Sequence, residues 1–449
     1  MEFRFFKNKL FEICFISIFI FSYLMFIYFI YIIPQGFDIS IVLIIGFVIM
    51  ILGLFVFFNI DNSAKNSTIF QIKILSEDTI KFILIILMSI SFFISPITSR
   101  NTIILWKDVP FINYIRAYSF IIGCAFVPGG NLYNIFYSKS DLAKKFKVEP
   151  FIIKITLYPL LSLMFIGISV LILDQIGLAR NLFEIVLLMF ILILFSLDFA
   201  IKIIRKNKVS LNVESLQFSK YSLNILIMAV GIIFISIGIH FGMSYLIPGD
   251  SWVGLAPNNY IGSRNSSPLE WGSNNLYYPL FWSYITFGIS VLSGLPYINA
   301  NALLAPFCYL YATSVYLLMK SIFYNFKEKY ATLSTILVMI TSGLFYLSSD
   351  YNHGNVPSIT YTCQFYFIYK TYSHLLLIVA LALFIIISRT MTYEEKENSL
   401  SFFYFKEFKI LLLITIFLIL STMLYLLPLV IGMLFIVLFC IFSNNMKKN

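Results

Sequence analysis

The sequence predicts an all-α polytopic membrane protein of about 12 transmembrane helices, with an outer-face loop that contains interfacial helices. Two observations lead to this class. Only 12% of the 449 residues are charged and 60% are hydrophobic, whereas soluble domains carry about 25% charged residues. Apolar runs of about 20 residues, the length that crosses a bilayer, also recur along the chain. The polar stretches between these runs are too short to fold alone.

Apolar runs that are separated by polar segments predict where each helix lies along the chain. Seven spans are predicted before the longest polar stretch, at about 12–33, 39–59, 82–98, 114–137, 151–173, 182–204 and 221–247. The first run is too long for the apolar part of a signal peptide and has no small-residue cleavage site, so we expect a retained helix. Five further spans are predicted at about 298–319, 331–349, 373–389, 409–423 and 426–443.

We therefore divide the chain into an N-terminal module of six helices, 1–220, and a second membrane module, 221–449. Polar residues in the second module concentrate in two predicted outer loops, 248–297 and 350–371. The first of these loops contains three of the four tryptophans of the chain. If the protein has a reactive site, we expect it in these loops.

The net charge of +10 is explained by membrane topology, since cytoplasmic loops are enriched in Lys and Arg. This interpretation accounts for the charge without nucleic-acid binding, and we expect no nucleic-acid partner. With both termini cytoplasmic in a cell membrane, the predicted outside loops hold only six of the 31 basic residues, namely Arg100, Lys107, Arg116, Arg180, Arg264 and Lys370.

The distribution of basic residues between the two sides depends on whether an aromatic segment at about 279–292 crosses the membrane. If the segment crossed the membrane, Lys320, Lys327 and Lys329 would lie outside. We therefore expect it to lie on the outer membrane surface as an interfacial helix, with its rings in the headgroup region.

Two acids follow predicted helices at the outer face and are the candidate catalytic residues. Asp250 comes after the seventh span and Asp350 after the ninth. A carboxylate at such a position could accept a proton from a nucleophile or help to bind a cation on a phosphate. Whether both side chains face one site depends on their separation, which the sequence does not give.

Histidine, cysteine and buried acids add little further chemistry. His240, His353 and His374 have no metal-ligand spacing, and five scattered cysteines without a CxxC pair indicate neither zinc nor a disulfide framework. We therefore assign no metal ligands. Asp198 is the one acid well inside a span. It is either a proton-relay residue or the partner of Lys202 at i+4, and we prefer the second interpretation.

Residues at about 221–390 resemble membrane glycosyltransferases of the GT-C type. The resemblance rests on several short motifs and on Asp350 after the next helix. These motifs are Gly249-Asp250-Ser251-Trp252, Tyr278-Pro279-Leu280-Phe281-Trp282, Ser293-Gly294-Leu295-Pro296 before a span that ends at Lys320, and Ser373-His374-Leu375.

The resemblance implies transfer of a sugar from a lipid-phosphate-linked donor, with a polyprenyl or dolichyl tail, to a glycan, lipid or protein acceptor at the outer face. Asp250 would act as the base or would position the acceptor, and Asp350 would assist with the acceptor or with a divalent metal, the one cofactor left open. The expected substrate-binding residues are Trp252, Arg264, Glu270, Tyr278, Trp282, His353 and His374.

Two other classes of function stay open. One is a transporter or flippase for a lipid-linked or small substrate, which should carry ionisable residues and broken helices inside its spans. The other is a membrane assembly subunit without chemistry of its own, which would suit the six-helix N-terminal module.

Overall fold

A computed structural model of the chain describes residues 39–58, 70–94, 111–137, 141–205, 213–242, 261, 280–348, 369–394 and 400–424, and single residues between 430 and 436. Long helices dominate these ranges, because a backbone in lipid must satisfy its own hydrogen bonds. The seven predicted catalytic and substrate-binding residues Asp250, Trp252, Arg264, Glu270, Tyr278, Asp350 and His353 lie outside the described residues.

The first half of the described chain contains six α-helices and two strands. They are α1 Ile39–Phe58, β1 Phe70–Leu75, α2 Glu77–Ile94, α3 Phe111–Leu132 with a π-helical extension Tyr133–Tyr137, α4 Leu142–Phe146, α5 Pro150–Gln175, α6 Phe183–Ile204 and β2 Val213–Phe218.

The second half contains seven further α-helices. They are α7 Lys220–Gly242, α8 Leu280–Ser293, α9 Tyr297–Ala302, α10 Tyr309–Ile322, α11 Glu328–Ser348, α12 Tyr369–Glu394 and α13 Leu400–Leu424, with a 3₁₀ turn Ala305–Cys308 between α9 and α10. Helices of both predicted modules pack against each other, α1 on α7 and α5 on α8 and α10. The division at residue 220 stays a prediction.

The charged side chains give the helix bundle two distinct ends. Lys81, Lys154 and Lys202 share acidic partners at one end, which we call the lysine-rich end. Arg116 and Arg180 lie at the other, which we call the opposite end. Helices α2, α5, α7 and α11 begin at the lysine-rich end, and α3, α6, α10 and α12 finish there. These directions agree with the alternation predicted from the positions of the basic residues.

Six helical stretches among the described residues are long and apolar enough to cross a membrane. They are Ile115–Tyr137, Pro150–Gln175, Arg180–Ile204, Lys220–Gly238, Asn299–Ile322 and Thr371–Arg389. The class of a multi-pass helical membrane protein is thereby supported, whereas the count of about 12 spans stays a prediction.

The rings of the aromatic segment were expected in the headgroup region, and in the structure neighbouring helices cover them instead. Helix α8 is buried on all sides, with Phe281, Trp282 and Tyr284 each 1% exposed. It packs against α3, α5, α6 and α13. Hydroxyl and small residues at Ser283, Thr286 and Gly288 let neighbouring helices approach it closely, as is usual inside membrane bundles.

The direction of α8 agrees with the expectation that this segment does not cross. Phe281 at its start lies beside Gly167, and the carbonyl oxygens of Val291 and Leu292 at its end accept hydrogen bonds from Arg116 at the opposite end. At 14 residues the helix is about 21 Å long, shorter than the hydrocarbon core of about 30 Å. Gly242, at the end of α7, and Gly294, directly after α8, thus both lie at the opposite end of the bundle.

A two-stranded sheet was not predicted. β1 and β2 pair antiparallel from Phe70 opposite Phe218 to Leu75 opposite Val213, and they lead directly into α2 and α7. Both strands lie in stretches that we had interpreted only as polar loops. Pairing satisfies the backbone groups of two segments that are remote in sequence, and their short alternation of polar and apolar residues was too weak to identify them alone.

The orientation of the bundle can be tested by cysteine labelling. Phe326 is exposed between α10 and α11 at the lysine-rich end, and Leu182 is exposed before α6 at the opposite end. We expect a membrane-impermeant maleimide to label Leu182→Cys in intact cells and Phe326→Cys only after the membrane is permeabilised, because the lysine-rich end should face the cytoplasm. The reverse labelling pattern would contradict the predicted topology.

Candidate functional site

Two of the nine predicted site residues lie among the described residues. The indole ring of Trp282 in α8 lies 6.1 Å from the ring of Tyr372 in α12, and Tyr372 donates a hydrogen bond to the carbonyl oxygen of Leu160. His374, two residues further along α12, is half-buried. Trp282 and His374 thus belong to neighbouring parts of the bundle interior. Their roles in substrate binding stay predictions, and His240 lies in α7 with its side chain outside the described residues.

Helices α7 and α11, which precede Asp250 and Asp350 in the chain, pack side by side and run in the same direction. Ser219, at the start of α7, donates a hydrogen bond of 3.0 Å from its hydroxyl to Glu328, the first residue of α11. Helices of 23 and 21 residues are about 34 and 32 Å long. Gly242 and Ser348 therefore both lie at the opposite end of the bundle, eight residues before Asp250 and two before Asp350.

An apolar cavity of about 110 Å³ lies between α3, α7 and the break that separates α9 from α10. Ile122, Phe126 and Ile233 are only partly buried at its edge. Its lining is Tyr118, Ile121, Ile122, Ala125, Phe126, Ile233, Ile237, Leu303, Pro306, Phe307 and Tyr309. Such a lining suits hydrocarbon and offers almost no hydrogen bonding.

A network of buried charges joins four helices at the lysine-rich end. We call it the charge cluster, and its members are Glu77, Asp78, Lys81, Asn134, Lys154, Tyr158, Asp198 and Lys202. Glu77 is its centre: one carboxylate oxygen lies 2.7 Å from Lys81 Nζ and accepts hydrogen bonds from Asn134 and Tyr158, and the other accepts from Lys154 at 2.6 Å. Ionisable groups at membrane depth are rare and are usually paired and functional.

The surroundings of Glu77 keep it ionised. Burial raises the pKa of its carboxyl group, but the charges of Lys81 and Lys154 and their hydrogen bonds lower it by more, to far below the ordinary value. Burial also lowers the pKa of the Lys81 ammonium group, against the attraction of Glu77. These contacts favour the ionised form of Glu77, and they join α2 to α3 and α5.

Asp198 joins the cluster from α6. Its carboxylate lies 3.2 Å from Lys202 Nζ, as the preferred interpretation of the sequence predicted, and 3.7 Å from Lys81 Nζ. Lys202 makes a second, shorter contact with Asp78. The predicted i+4 pair is therefore real, but it is one contact within a larger network.

Helix α3 is distorted where it meets the charge cluster. Pro128 lies inside the helix and cannot donate the usual backbone hydrogen bond. Two glycines follow, and the helix then continues as a π-helix over Tyr133–Tyr137. Such π-helical turns frequently occur at functional sites. Asn134, within this turn, donates to Glu77 at 3.1 Å and contacts Asp198 at 3.4 Å.

Sequence reasoning missed most of the charge cluster. The signals were Glu77, Asp78 and Lys81 in the first turns of an apolar helix, and Pro128-Gly129-Gly130 inside an apolar run. Each was ambiguous alone, because charges near helix ends are usually solvated. Only packing shows that Lys81 and Asp198 are 3% and 4% exposed.

A second buried ion pair lies at the opposite end. Arg116, which we had counted with the charges of the outer loops, is completely buried and pairs with Glu184 of α6. Its guanidinium group also donates to the carbonyl oxygens of Val291 and Leu292, at 3.0 Å to Leu292. Arg116 therefore satisfies carbonyl groups that the last turn of α8 leaves without a helical donor.

No protein-family model matches the chain, and no curated protein or solved structure was found to be similar to it. The described residues contain no group of three or more His, Cys, Asp or Glu side chains that could hold a metal ion. The fold and the charged groups on these residues define a multi-pass helical membrane protein with a polar cluster at one end.

Proposed function

We propose that the protein is a membrane glycosyltransferase that transfers a sugar from a lipid-phosphate-linked donor to an acceptor at the outer membrane face. The observation that carries the proposal is the parallel packing of α7 and α11. Because both helices begin together at Ser219 and Glu328, the chain segments that contain Asp250 and Asp350 leave the bundle at the same end. In this mechanism, one carboxylate removes the proton of the acceptor hydroxyl group as its oxygen attacks the sugar, the bond between the sugar and the phosphate oxygen breaks, and the lipid phosphate leaves with the electron pair.

Two further features of the bundle support a lipid-linked donor. The apolar cavity lies in the half of the bundle nearer the opposite end, as Ile233 and Ile237 lie in the second half of α7. A hydrocarbon tail would suit its lining. Helix α8, which forms the last part of the first predicted outer loop, is buried inside the bundle and gives that loop a fixed anchor at the same end.

The proposal is tested by replacing the two acids. Membranes that contain the full chain are supplied with polyprenyl-phosphate-linked sugars, and glycosylated products are measured by mass spectrometry. We expect Asp250→Asn and Asp350→Asn each to lower the rate of product formation by about 100-fold, the usual scale for loss of a general base. Asp141→Asn is the control, since Asp141 is exposed at the lysine-rich end and 61% of its side chain is accessible. Product formation that is unchanged in both variants would refute the catalytic assignment.

A transporter or flippase for a lipid-linked substrate is the second candidate function. It is favoured by the break between α9 and α10, where Leu303–Leu304 and a 3₁₀ turn interrupt the span, and by the buried charges beside the distorted α3. Discontinuous helices and intramembrane charges are typical of transport sites. Movement of a fluorescent polyprenyl-phosphate sugar across protein-containing vesicles, without formation of a glycosylated product, would favour this function over the first.

A further inference from the structure

We propose that the lysine-rich end contains a binding site for the phosphate group of an anionic membrane lipid, formed by Lys147, Lys320 and Arg389 around Tyr324. Lys147 directly follows α4, Lys320 lies in the last turn of α10 with Tyr324 just after it, and Arg389 lies near the end of α12. Helix α4 packs against both α10 and α12. The site is separate from the proposed sugar-transfer site, which lies at the opposite end of the bundle.

Lys320 is a buried cation that forms no ion pair or hydrogen bond with any described residue. Only 9% of the residue is exposed. Glu328 and Glu149 attract its ammonium group from beyond ion-pair distance, and Lys147 repels it. Removing an ammonium group from water is costly unless an anion is paired with it. The position of Lys320 therefore favours the binding of an anion.

The two acids that attract this ammonium group are held by other donors. Glu328 accepts hydrogen bonds from the hydroxyl groups of Tyr316 at 2.6 Å and Ser219 at 3.0 Å. Glu149 accepts hydrogen bonds from the backbone amide of Ser219 at 2.6 Å and from the hydroxyl group of Ser222. These four hydrogen bonds fix the two carboxylates, so neither can turn toward the buried ammonium group without losing its donors.

Tyr324 brings two further cations close to Lys320. The ammonium group of Lys147 lies 3.8 Å from the centre of the Tyr324 ring, which is the geometry of a cation–π contact. The side chain of Lys147 is exposed at the end of α4. Arg389, which is half-buried, also interacts electrostatically with Tyr324. Cations from three different elements of the bundle thus meet in one region.

The charges and the donor groups of this region suit a phosphate. Its three cations stand against two carboxylates, Glu149 and Glu328, which leaves one net positive charge. Lys327 and Lys329, on either side of Glu328 in the sequence, add to it. A guanidinium group binds phosphate through two parallel hydrogen bonds, and an ammonium group binds it as a point charge.

Exposed aromatic residues place the site at the depth of the lipid headgroups. Phe326 and Tyr330 are 64% and 51% exposed, and edge contacts join the ring of Phe326 to those of Phe323 and Tyr330. Aromatic side chains concentrate where the membrane meets water. Basic pockets between transmembrane helices on the cytoplasmic side bind anionic headgroups. The position of the site therefore favours a lipid phosphate over a free phosphate ion.

Native mass spectrometry of the full chain in detergent micelles tests the site, with phosphatidylglycerol as the anionic lipid and phosphatidylcholine as the neutral lipid. We expect phosphatidylglycerol to bind more tightly than phosphatidylcholine. Lys320→Met should weaken phosphatidylglycerol binding by about tenfold or more, because it removes a charged hydrogen-bond donor. Lys144→Met is the matched control, since Lys144 lies in α4 but is 82% exposed and pairs with Asp141. It should bind the lipid as the unmodified protein does.

Lys147→Gln covers the case in which Lys320→Met does not fold. Because Lys147 is exposed, its replacement should leave the fold intact and weaken phosphatidylglycerol binding more than Lys144→Met does. Equal affinities of Lys147→Gln and Lys144→Met would overturn the proposal, and so would equal affinities for the two lipids. An excess of inorganic phosphate should leave the lipid bound. Displacement of the lipid by phosphate would indicate a site for the free ion and would overturn the assignment to a lipid.

Discussion

Arg116→Met is expected to lower the free energy of unfolding by about 3–5 kcal/mol, the usual cost of breaking a buried ion pair by removing one partner. The substitution leaves Glu184 charged and buried, with its side chain only 4% exposed. It also removes the donor to the carbonyl oxygens at the end of α8. The measurement is an unfolding titration in detergent micelles with a mixture of denaturing and native detergents.

The exposed ion pair of the same chain supplies the control. Lys144 and Asp141 lie 3.3 Å apart with 82% and 61% of their side chains exposed, and such pairs contribute about 0–1 kcal/mol. Lys144→Met should therefore hardly change stability. The double variant Arg116→Met with Glu184→Leu should recover part of the loss, because no buried charge is left unpaired. Equal effects of Arg116→Met and Lys144→Met would contradict the buried pairing.

Gly129→Ala is expected to destabilise the protein by about 3 kcal/mol, the upper part of the range for overpacking. An added Cβ would overlap the backbone carbonyl oxygen of Tyr158 and would lie 2.7 Å from the hydroxyl oxygen of Ser162. A backbone group cannot rotate away, so α3 and α5 would have to separate. That separation would break the hydrogen bond from the Gly129 amide to Ser162. The same unfolding titration measures the effect.

Gly53→Ala is the matched control for this substitution. Gly53 lies in the contact between α1 and α7, and its added Cβ would meet the side-chain sulfur of Met228 at 3.0 Å. The flexible Met side chain can move, so we expect a change smaller than about 1 kcal/mol. A Gly129→Ala variant as stable as Gly53→Ala would show that α3 and α5 are not in close contact at this point.

Much of the membrane architecture was accessible from composition and charge. Apolar runs predicted the helices α3, α5, α6, α7 and α12 to within about five residues, because hydrocarbon thickness sets their length. The span predicted at about 298–319 is divided in the structure between α9, a 3₁₀ turn and α10. The charge argument predicted that the segment at 279–292 lies at the outer face without crossing the membrane, and the direction of α8 agrees with a segment that does not cross. The number of spans outside the described residues, the roles of Asp250 and Asp350, and sugar transfer itself stay predictions.

The position of α8 illustrates what sequence patterns do not resolve. Its aromatic residues suit a headgroup belt as well as a packed interior, since both surround rings with mixed polar and apolar groups. The position of α8 depends on the shape of its neighbours. The ring of Phe281 packs against Gly167, where there is no side chain, and Gly288 packs against Ile166. The positive φ of 71° at Gly294 turns the chain beneath the guanidinium group of Arg116, where any side chain would be crowded.

The sequence alone determined that the chain is a helical membrane protein, which end of the bundle is basic, and that polar residues concentrate around 248–297 and 350–371. These properties depend on the free energy of transferring each residue from water to lipid, and these transfer free energies add up along the chain. Only the tertiary structure decided that Arg116 and Glu184 form a buried pair, and that Lys81, Asn134 and Asp198 meet. Such contacts join residues 60 or more positions apart, and their energies depend on distance and burial, which follow from how the helices pack.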